Sequence, residues 1–207
     1  MKIIEPSATL VDEINPDEIL LKLETCGRVS HQSGGRPLHT YGAKERAESF
    51  VHMLIKRGHE SVLEHVSLTF RIICDRGVSH ELVRHRFASP TQESTRYVKY
   101  KELEIIAPFE LDEDNPAHCA WLRTIRACEH GYIDMVNNGM TPEQARSALP
   151  HAIKTELYVT ANLRSWRHIL KLRTDKAAHP QMRQIMNQVL AVLRDKLPVI
   201  VEDIGNE

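Results

Sequence analysis

The chain has 207 residues, of which 42% are hydrophobic, and this is enough to bury a hydrophobic core in one domain. Its 27 basic and 28 acidic residues leave a formal charge of -1, which argues against nucleic-acid binding and against electrostatic attachment to a membrane. We find no apolar run near the roughly 20 residues of a membrane span and no signal-peptide pattern. We therefore expect a cytoplasmic protein with a single domain over residues 1–207.

Helix and strand signals follow one another along the chain. Helices are marked by capping side chains, prolines at the first helical position and apolar residues every three to four positions. Strands are marked by apolar residues at alternate positions. In the first half of the chain these signals predict helices over 16–27 and 43–57, a strand over 66–74, a short helix over 78–86 and a strand over 96–106. An acidic loop over 108–116 follows, and then a long helix that ends at Gly139 and a helix opened by a capping box over 141–144. The remaining elements are a strand or helix over 157–159, a helix over 163–173 and a last helix from Pro180. This order predicts an α+β fold, helix-rich, with a small, mainly antiparallel sheet.

The four cysteines show no C-x-x-C spacing. Cys26, Cys74, Cys119 and Cys128 lie in apolar stretches of the sequence. We therefore interpret them as reduced thiols of the core in a cytosolic protein.

The stretch 84–97 is rich in hydrogen-bond donors and contains three arginines. Because guanidinium groups bind phosphate through two parallel hydrogen bonds, it predicts a local anion site. If residues 80–86 are helical, Arg84 and Arg86 diverge by roughly 200°, so they would meet two anions, or one anion and one packing contact. Ser94 and Arg96 share a face if extended and could close on one phosphate. A lone arginine more often completes a helix C-terminus; the whole set favours a site.

The stretch 58–65 offers two histidines and two acids. His59 and His65 are six positions apart, a spacing that does not align on a helix face, and the H-E-x-x-H zinc spacing is absent. A metal site is therefore the weaker interpretation. A histidine near a ligand, or one hydrogen-bonded within a turn, fits the pattern better.

The stretch 162–173 predicts a basic helix. Arg164 and His168 share a face at i, i+4, and Asn162 is an N-cap that could also bind a ligand. Arg167 and Lys171 are interpreted as cations of a basic surface helix that packs against the core.

These segments, in this order, resemble the flavin-dependent thymidylate synthases. The family signature is R-H-R, seven residues and a serine, and here Arg84-His85-Arg86 is followed after seven residues by Ser94. Further matches are R-V-S at 28–30, G-H-E-S at 58–61, A-R at 145–146 with L-P at 149–150, N-x-R at 162–164 and L-R at 172–173. The resemblance covers roughly residues 25–185.

The resemblance implies an α+β fold, a homotetramer with FAD at subunit interfaces, and the reductive methylation of dUMP to dTMP. Methylenetetrahydrofolate would supply the carbon, NADPH would reduce FAD, and no metal is implied. Contacts to FAD would come from Ser61, Arg84, His85, Arg86, Gln92, Asn162, Arg164 and His168, with His59 near the flavin or folate. Contacts to dUMP would come from Glu81, Arg84, Gln92, Glu93, Ser94, Thr95, Arg96 and Arg146, the last from another subunit. Arg173 would be the catalytic residue, facing the uracil and favouring its N3-deprotonated form.

The sequence departs from the family pattern at two places. Pro90 and Thr91 stand where members often have an aromatic residue followed by Ser or Asn, which leaves the loop shape there open. His168 stands where some members have Asn, and both side chains can donate to a flavin edge. Ser94 could be a nucleophile, but His85 is the one base near it in sequence, so phosphate binding is preferred.

Two other classes of function compete with the resemblance. A nucleotide-binding or RNA-binding module could use the same arginines, although an aromatic content of 5% offers little stacking surface. A metal-dependent phosphohydrolase could use His59, Glu60, Glu64 and His65.

Overall fold

The computed structural model describes residues 1–31, 42–108, 112 and 114–205, so the acidic loop predicted over 108–116 lies partly outside the described residues. The strands are β1 Lys2–Ile3, β2 Ser7–Leu10, β3 Ser67–Asp75, β4 Ser89–Gln92, β5 Glu104–Ile105 and β6 Lys154–Asn162. The helices are α1 Pro16–Arg28, α2 Ala43–Lys56, α3 Arg76–Leu82, α4 Pro116–Asn137, α5 Pro142–Ala145, α6 Leu163–Arg173, α7 Pro180–Lys196 and α8 Pro198–Val201. Turns of 3₁₀ helix lie at Val29–His31, Glu60–His65 and Arg146–Ala148.

Helix starts follow the capping side chains that predict them. The Asn15 side chain accepts a hydrogen bond from the Asp17 backbone N–H at 3.1 Å and opens α1. At α5 both halves of the Thr141–Gln144 capping box are formed. These helix starts were therefore predictable from a few neighbouring residues.

The main sheet has the strand order β2-β3-β6-β4 within the described residues and is antiparallel, while β1 pairs with β5 in parallel, with Lys2 opposite Glu104. The ambiguous stretch 157–159 belongs to β6 and is therefore a strand. The prediction of a helix-rich α+β fold with a small, mainly antiparallel sheet is confirmed.

Two predicted elements are wrong in their extent. The helix over 78–86 ends at Leu82, and the backbone N–H of Arg84 then donates to the Glu81 carbonyl in a turn, so the argument from helical divergence does not apply to Arg84 and Arg86. The strand over 96–106 is reduced to β5, because the Ser94 carbonyl accepts hydrogen bonds from the backbone N–H groups of Tyr97 and Val98 and forms a turn there.

The missed strand β4 contains Pro90. Proline lacks the N–H that a central strand needs, and it is tolerated at a sheet edge. Since β4 ends the strand order, Pro90 lies in such an edge. The departure from the family pattern at 90–91 is therefore accommodated as extended backbone.

The chain divides into two compact units. Unit 1 comprises Met1–Ser7, Arg71–His85 and Pro90–Tyr158, and unit 2 comprises Ala8–Phe70, Arg86–Ser89 and Val159–Glu207. The core of unit 1 includes Ile105, Ile125 and Ile153. In unit 2 the buried Trp166 packs edge-on against Phe70 at 5.1 Å between ring centres. That residues 1–207 form a single domain stays a prediction.

The cysteines are all free, but they are not all core residues. Cys74 is buried, and this burial raises the pKa of its thiol. Cys26 and Cys128 are half-buried, and Cys119 is exposed, so the prediction of four core thiols is wrong for Cys119.

Within the described residues, none of the helices combines the length and the apolar character needed to cross a bilayer.

Candidate functional site

The fold distributes the candidate site residues over both units. Unit 1 contains Glu81, Arg84, His85, Gln92, Glu93, Ser94, Thr95, Arg96 and Arg146. Unit 2 contains His59, Ser61, Arg86, Asn162, Arg164, His168 and Arg173. The residues that the resemblance assigns to dUMP therefore lie mainly in unit 1, and those that it assigns to FAD lie mainly in unit 2. The R-H-R segment contributes residues to both units.

Helix α6 presents the polar candidates of unit 2 on its exposed face. Asn162 caps the helix, its side-chain oxygen accepting from the Ser165 backbone N–H at 2.8 Å. Arg164 and His168, one turn apart, line a groove of about 620 Å³ together with Asn162 and Phe87. The fold thus brings the residue after Arg86 and the start of α6 to one groove, although more than 70 positions separate them in the sequence.

Arg164 forms an ion pair across this groove. Its Nη1 lies 2.5 Å from Oε1 of Glu64, and the two side chains are about half exposed. An anionic ligand in the groove would therefore compete with Glu64 for a guanidinium that is already oriented.

A second groove, of about 750 Å³, lies on the 3₁₀ turn Glu60–His65 and the facing helices α1 and α2. His59, Ser61, His65 and the half-buried Cys26 line it. The spacing argument against His59 and His65 assumed an α-helix, whereas His65 ends a 3₁₀ turn and His59 is the N-cap before it, so that spacing does not describe this segment. In the described part of the chain, no group of three or more His, Cys, Asp or Glu side chains is arranged to hold a metal ion.

The interpretation of Arg167 as a surface cation is wrong. Its side chain is 1% exposed and donates to Glu60 at 3.0 Å, to Asp203 at 2.7 and 2.9 Å, and to the Ile200 carbonyl. Burial alone would lower the pKa of Arg167, but the hydrogen bonds to Asp203 and Glu60 outweigh it and raise that pKa. Arg167 therefore fixes the inner face of α6 beneath the groove, while Lys171 is an exposed partner of Asp203.

The loop of residues 92–96, which the resemblance assigns to dUMP, is anchored to its own unit by its first two side chains. Gln92 donates to Ser79 at 2.9 Å and to Thr155 at 3.1 Å. Glu93 accepts from the Tyr100 hydroxyl at 2.8 Å through one oxygen and from Lys154 at 3.1 Å through the other. These contacts fix where the loop starts.

Tyr100 and Lys154 were not candidates from the sequence. Burial and the hydrogen bond to Glu93 raise the pKa of Tyr100, which stays a neutral donor. Burial alone would lower the pKa of Lys154, but Glu93 raises it, so the ammonium stays charged. Nothing in the sequence links Lys154 to a position 61 residues away.

The later residues of the loop 92–96 are more open. The Ser94 hydroxyl oxygen accepts from the Arg96 backbone N–H at 3.3 Å and keeps its own proton for donation, while Thr95 is buried. The Arg96 guanidinium is exposed and paired with Glu143 at 2.8 Å. The spacing argument that Ser94 and Arg96 share a face of a strand does not hold, because a turn begins at Ser94.

The remaining cations differ in exposure. Arg84, Arg86 and Arg146 are exposed, and the described residues provide no carboxylate in an ion pair with any of the three. Their guanidinium groups can therefore meet an incoming anion. Arg173 is the last residue of α6 and is half-buried.

Comparison with known proteins gives consistent results. Residues 9–199 match a family model described as thymidylate synthase complementing protein. The flavin-dependent thymidylate synthase of Pyrococcus furiosus is 35% identical over 161 residues, covering 74% of this chain and 66% of that protein, so the chain spans about two thirds of its length. The flavin-dependent thymidylate synthase of Mycobacteroides abscessus is 32% identical over 197 residues, covering 87% of this chain and 78% of that protein.

A solved structure shares the fold. It is the UMP/dUMP methylase PolB from Streptomyces cacaoi bound with 5-Br dUMP, with a TM-score of 0.79 and 24% sequence identity. The similarity covers 97% of this chain and 95% of the other.

Proposed function

The chain belongs to the flavin-dependent thymidylate synthase family, a family of methyl-transferring enzymes, and we propose that it converts dUMP to dTMP by reductive methylation. The observation that carries the proposal is the groove of unit 2, where the segment after Arg86 meets the capped start of α6. Two motifs that are far apart in the sequence supply one polar surface there. When bound, FAD supplies the redox chemistry with NADPH as reductant, and methylenetetrahydrofolate supplies the carbon.

The residues of unit 2 fit a flavin nucleotide chemically. The groove volume of about 620 Å³ is within the roughly 300–1,000 Å³ of small-molecule sites. Arg164 and Arg86 would bind the pyrophosphate charge. Asn162 and His168 would donate to polar edges of the cofactor, and Ser61 and His59 of the second groove would contact its remaining parts.

The residues of unit 1 would bind dUMP. The Ser94 hydroxyl and the Arg96 guanidinium N–H groups would donate hydrogen bonds to the phosphate, with Arg84 and Arg146 adding charge. Glu81, Gln92, Glu93 and Thr95 would shape the rest of the nucleotide site. We further propose a cytoplasmic homotetramer with sites at subunit interfaces, to which Arg146 would come from another subunit.

Arg173 would activate the uracil. A guanidinium beside the ring stabilises the negative charge of the N3-deprotonated form and makes C5 more nucleophilic. The protein then needs no thiolate that adds to C6. This agrees with Cys74, whose buried thiol has a raised pKa and is a poor nucleophile.

Colour and reduction test the proposal. We expect a yellow protein with a flavin absorption band that is bleached anaerobically by NADPH, faster with dUMP present. Formation of dTMP should require methylenetetrahydrofolate. A colourless protein that binds RNA with strong salt dependence, or one that releases phosphate from dUMP with an added divalent metal, would contradict the proposal.

The role of Arg173 has its own test. Arg173→Ala should keep FAD bound but nearly abolish turnover, because charge on the uracil ring loses its stabilising cation. The measurement is flavin content by absorbance together with kcat at saturating dUMP. Retained turnover would refute the uracil-activating role.

A further inference from the structure

Arg96 is paired with a carboxylate of its own chain. Its Nε lies 2.8 Å from Oε1 of Glu143, and the side chains are 49% and 52% exposed. The guanidinium also lies over the Tyr97 ring, 5.6 Å from the ring centre. Arg96 is thus oriented in advance, but part of its hydrogen-bonding capacity is used by Glu143.

Glu143 is fixed in position by the start of α5. It is the second residue of that one-turn helix, directly after the Thr141 cap and Pro142. Arg146, three residues later, is exposed on the same short helical segment. A carboxylate of this chain is therefore paired with Arg96, which the proposed function assigns to the phosphate.

We infer that Glu143 sets the affinity for the nucleotide by competing with its phosphate for Arg96. The inference rests on the proposed function, since it takes Arg96 as a phosphate ligand. In the free enzyme Glu143 holds the guanidinium in place. A phosphate dianion releases it by offering more charge and more acceptor oxygens. A neutral nucleoside does not compete for Arg96, so Glu143 lowers the affinity for phosphorylated ligands alone and narrows their advantage over the nucleoside.

The exposure of the pair sets the size of the effect. Exposed ion pairs are weak, so removing the competitor should tighten dUMP binding by roughly two- to fivefold at low ionic strength. The gain should shrink at high salt, because the Debye length falls to about 3 Å at 1 M. Deoxyuridine, which has no phosphate, should bind equally well with and without Glu143.

The experiment is a double-mutant cycle measured by titration calorimetry with dUMP and with deoxyuridine. The holoenzyme and its Glu143→Gln, Arg96→Gln and double variants are compared. Glu143→Gln should lower the dissociation constant of dUMP but not that of deoxyuridine, and Arg96→Gln should raise the dissociation constant of dUMP. In the Arg96→Gln background, Glu143→Gln should have no further effect. The matched control is Glu102→Gln, which removes the same charge from an ion pair with the N-terminal ammonium of Met1 and should leave the dUMP constant unchanged.

The outcomes separate this inference from the proposed function. Wild-type protein that binds no dUMP would overturn both. Wild-type binding with an unchanged or weaker dUMP constant in Glu143→Gln would overturn the inference alone. Equal tightening in Glu102→Gln, or tightening of deoxyuridine, would also overturn it, since the effect would then not arise at Arg96.

Discussion

Replacing Arg167 by methionine should destabilise the protein because it removes a buried charge from α6. The substitution keeps much of the apolar stem but removes the charge that is bonded to Glu60, Asp203 and the Ile200 carbonyl. Deleting one partner of a fully buried ion pair costs about 3–5 kcal/mol. Here the carboxylate side chains are 24% and 41% exposed and regain some hydration, so we expect a loss of about 2–3 kcal/mol.

Chemical denaturation at fixed protein concentration measures this loss. The midpoint should fall with an unchanged m value, since the native fold is retained. Lys171→Met is the matched control, because Lys171 pairs with the same Asp203 but is 47% exposed, and it should cost at most about 1 kcal/mol. Equal losses for the two variants would refute the assignment of Arg167 as the buried anchor.

The same pair predicts a pH dependence. Burial alone would raise the pKa of Asp203, but hydrogen bonds from Arg167 and Lys171 outweigh it and lower that pKa from 3.8 to about 2. A lowered carboxyl pKa stabilises the fold above about pH 4, and this stability is lost as pH falls through about 2. Solvent screening of the exposed carboxylate reduces the contribution to about 1 kcal/mol. The decrease in unfolding free energy between about pH 4 and pH 2 should be smaller in Arg167→Met. An unchanged decrease would contradict the coupling between Arg167 and the pKa of Asp203.

Two further predictions concern packing and binding. Gly27→Ala should destabilise the protein by about 1–3 kcal/mol in thermal or chemical unfolding, because the added Cβ would lie 2.7 Å from the Phe50 ring. The control Gly131→Ala, whose Cβ meets nothing within 4 Å, should be neutral or stabilising. A larger loss of stability in Gly131→Ala than in Gly27→Ala would refute this packing. Ser94→Ala should raise the Kd and KM for dUMP while kcat at saturating dUMP is kept, because a phosphate donor is lost; a reaction that stops at saturation would instead make Ser94 a nucleophile.

The parts of the fold that short-range chemistry determines were predictable. The caps at Asn15, Thr141 and Asn162 each act on a backbone N–H two or three residues away, so the sequence contains the whole interaction. The extent of α3 was not predictable in this way. The residues up to Arg86 would also suit a helix, so their identity does not indicate where the helix ends. Its end at Leu82 depends on the path of the chain after the turn that follows.

Long-range pairing explains most of what was missed. Arg167 has the pattern of a solvated cation, and its burial depends on Glu60 and Asp203, which are 107 and 36 positions away. Tyr100 and Lys154 were missed because their roles exist only through Glu93. Residue identity suggested which side chains could meet an anion, but it could not indicate which of them are already neutralised by their own chain.

The two edges of the main sheet have a consequence for behaviour at high concentration. Exposed strand edges invite association of separate molecules through backbone pairing. On β4 the ring nitrogen of Pro90 has no hydrogen to give, and on β2 the backbone N–H of Ala8 is already donated to the side chain of Gln188 at 2.9 Å. At each edge one backbone N–H is therefore not available to pair with a strand of a neighbouring molecule. This discourages fibrillar stacking and aggregation without a charged residue at either position.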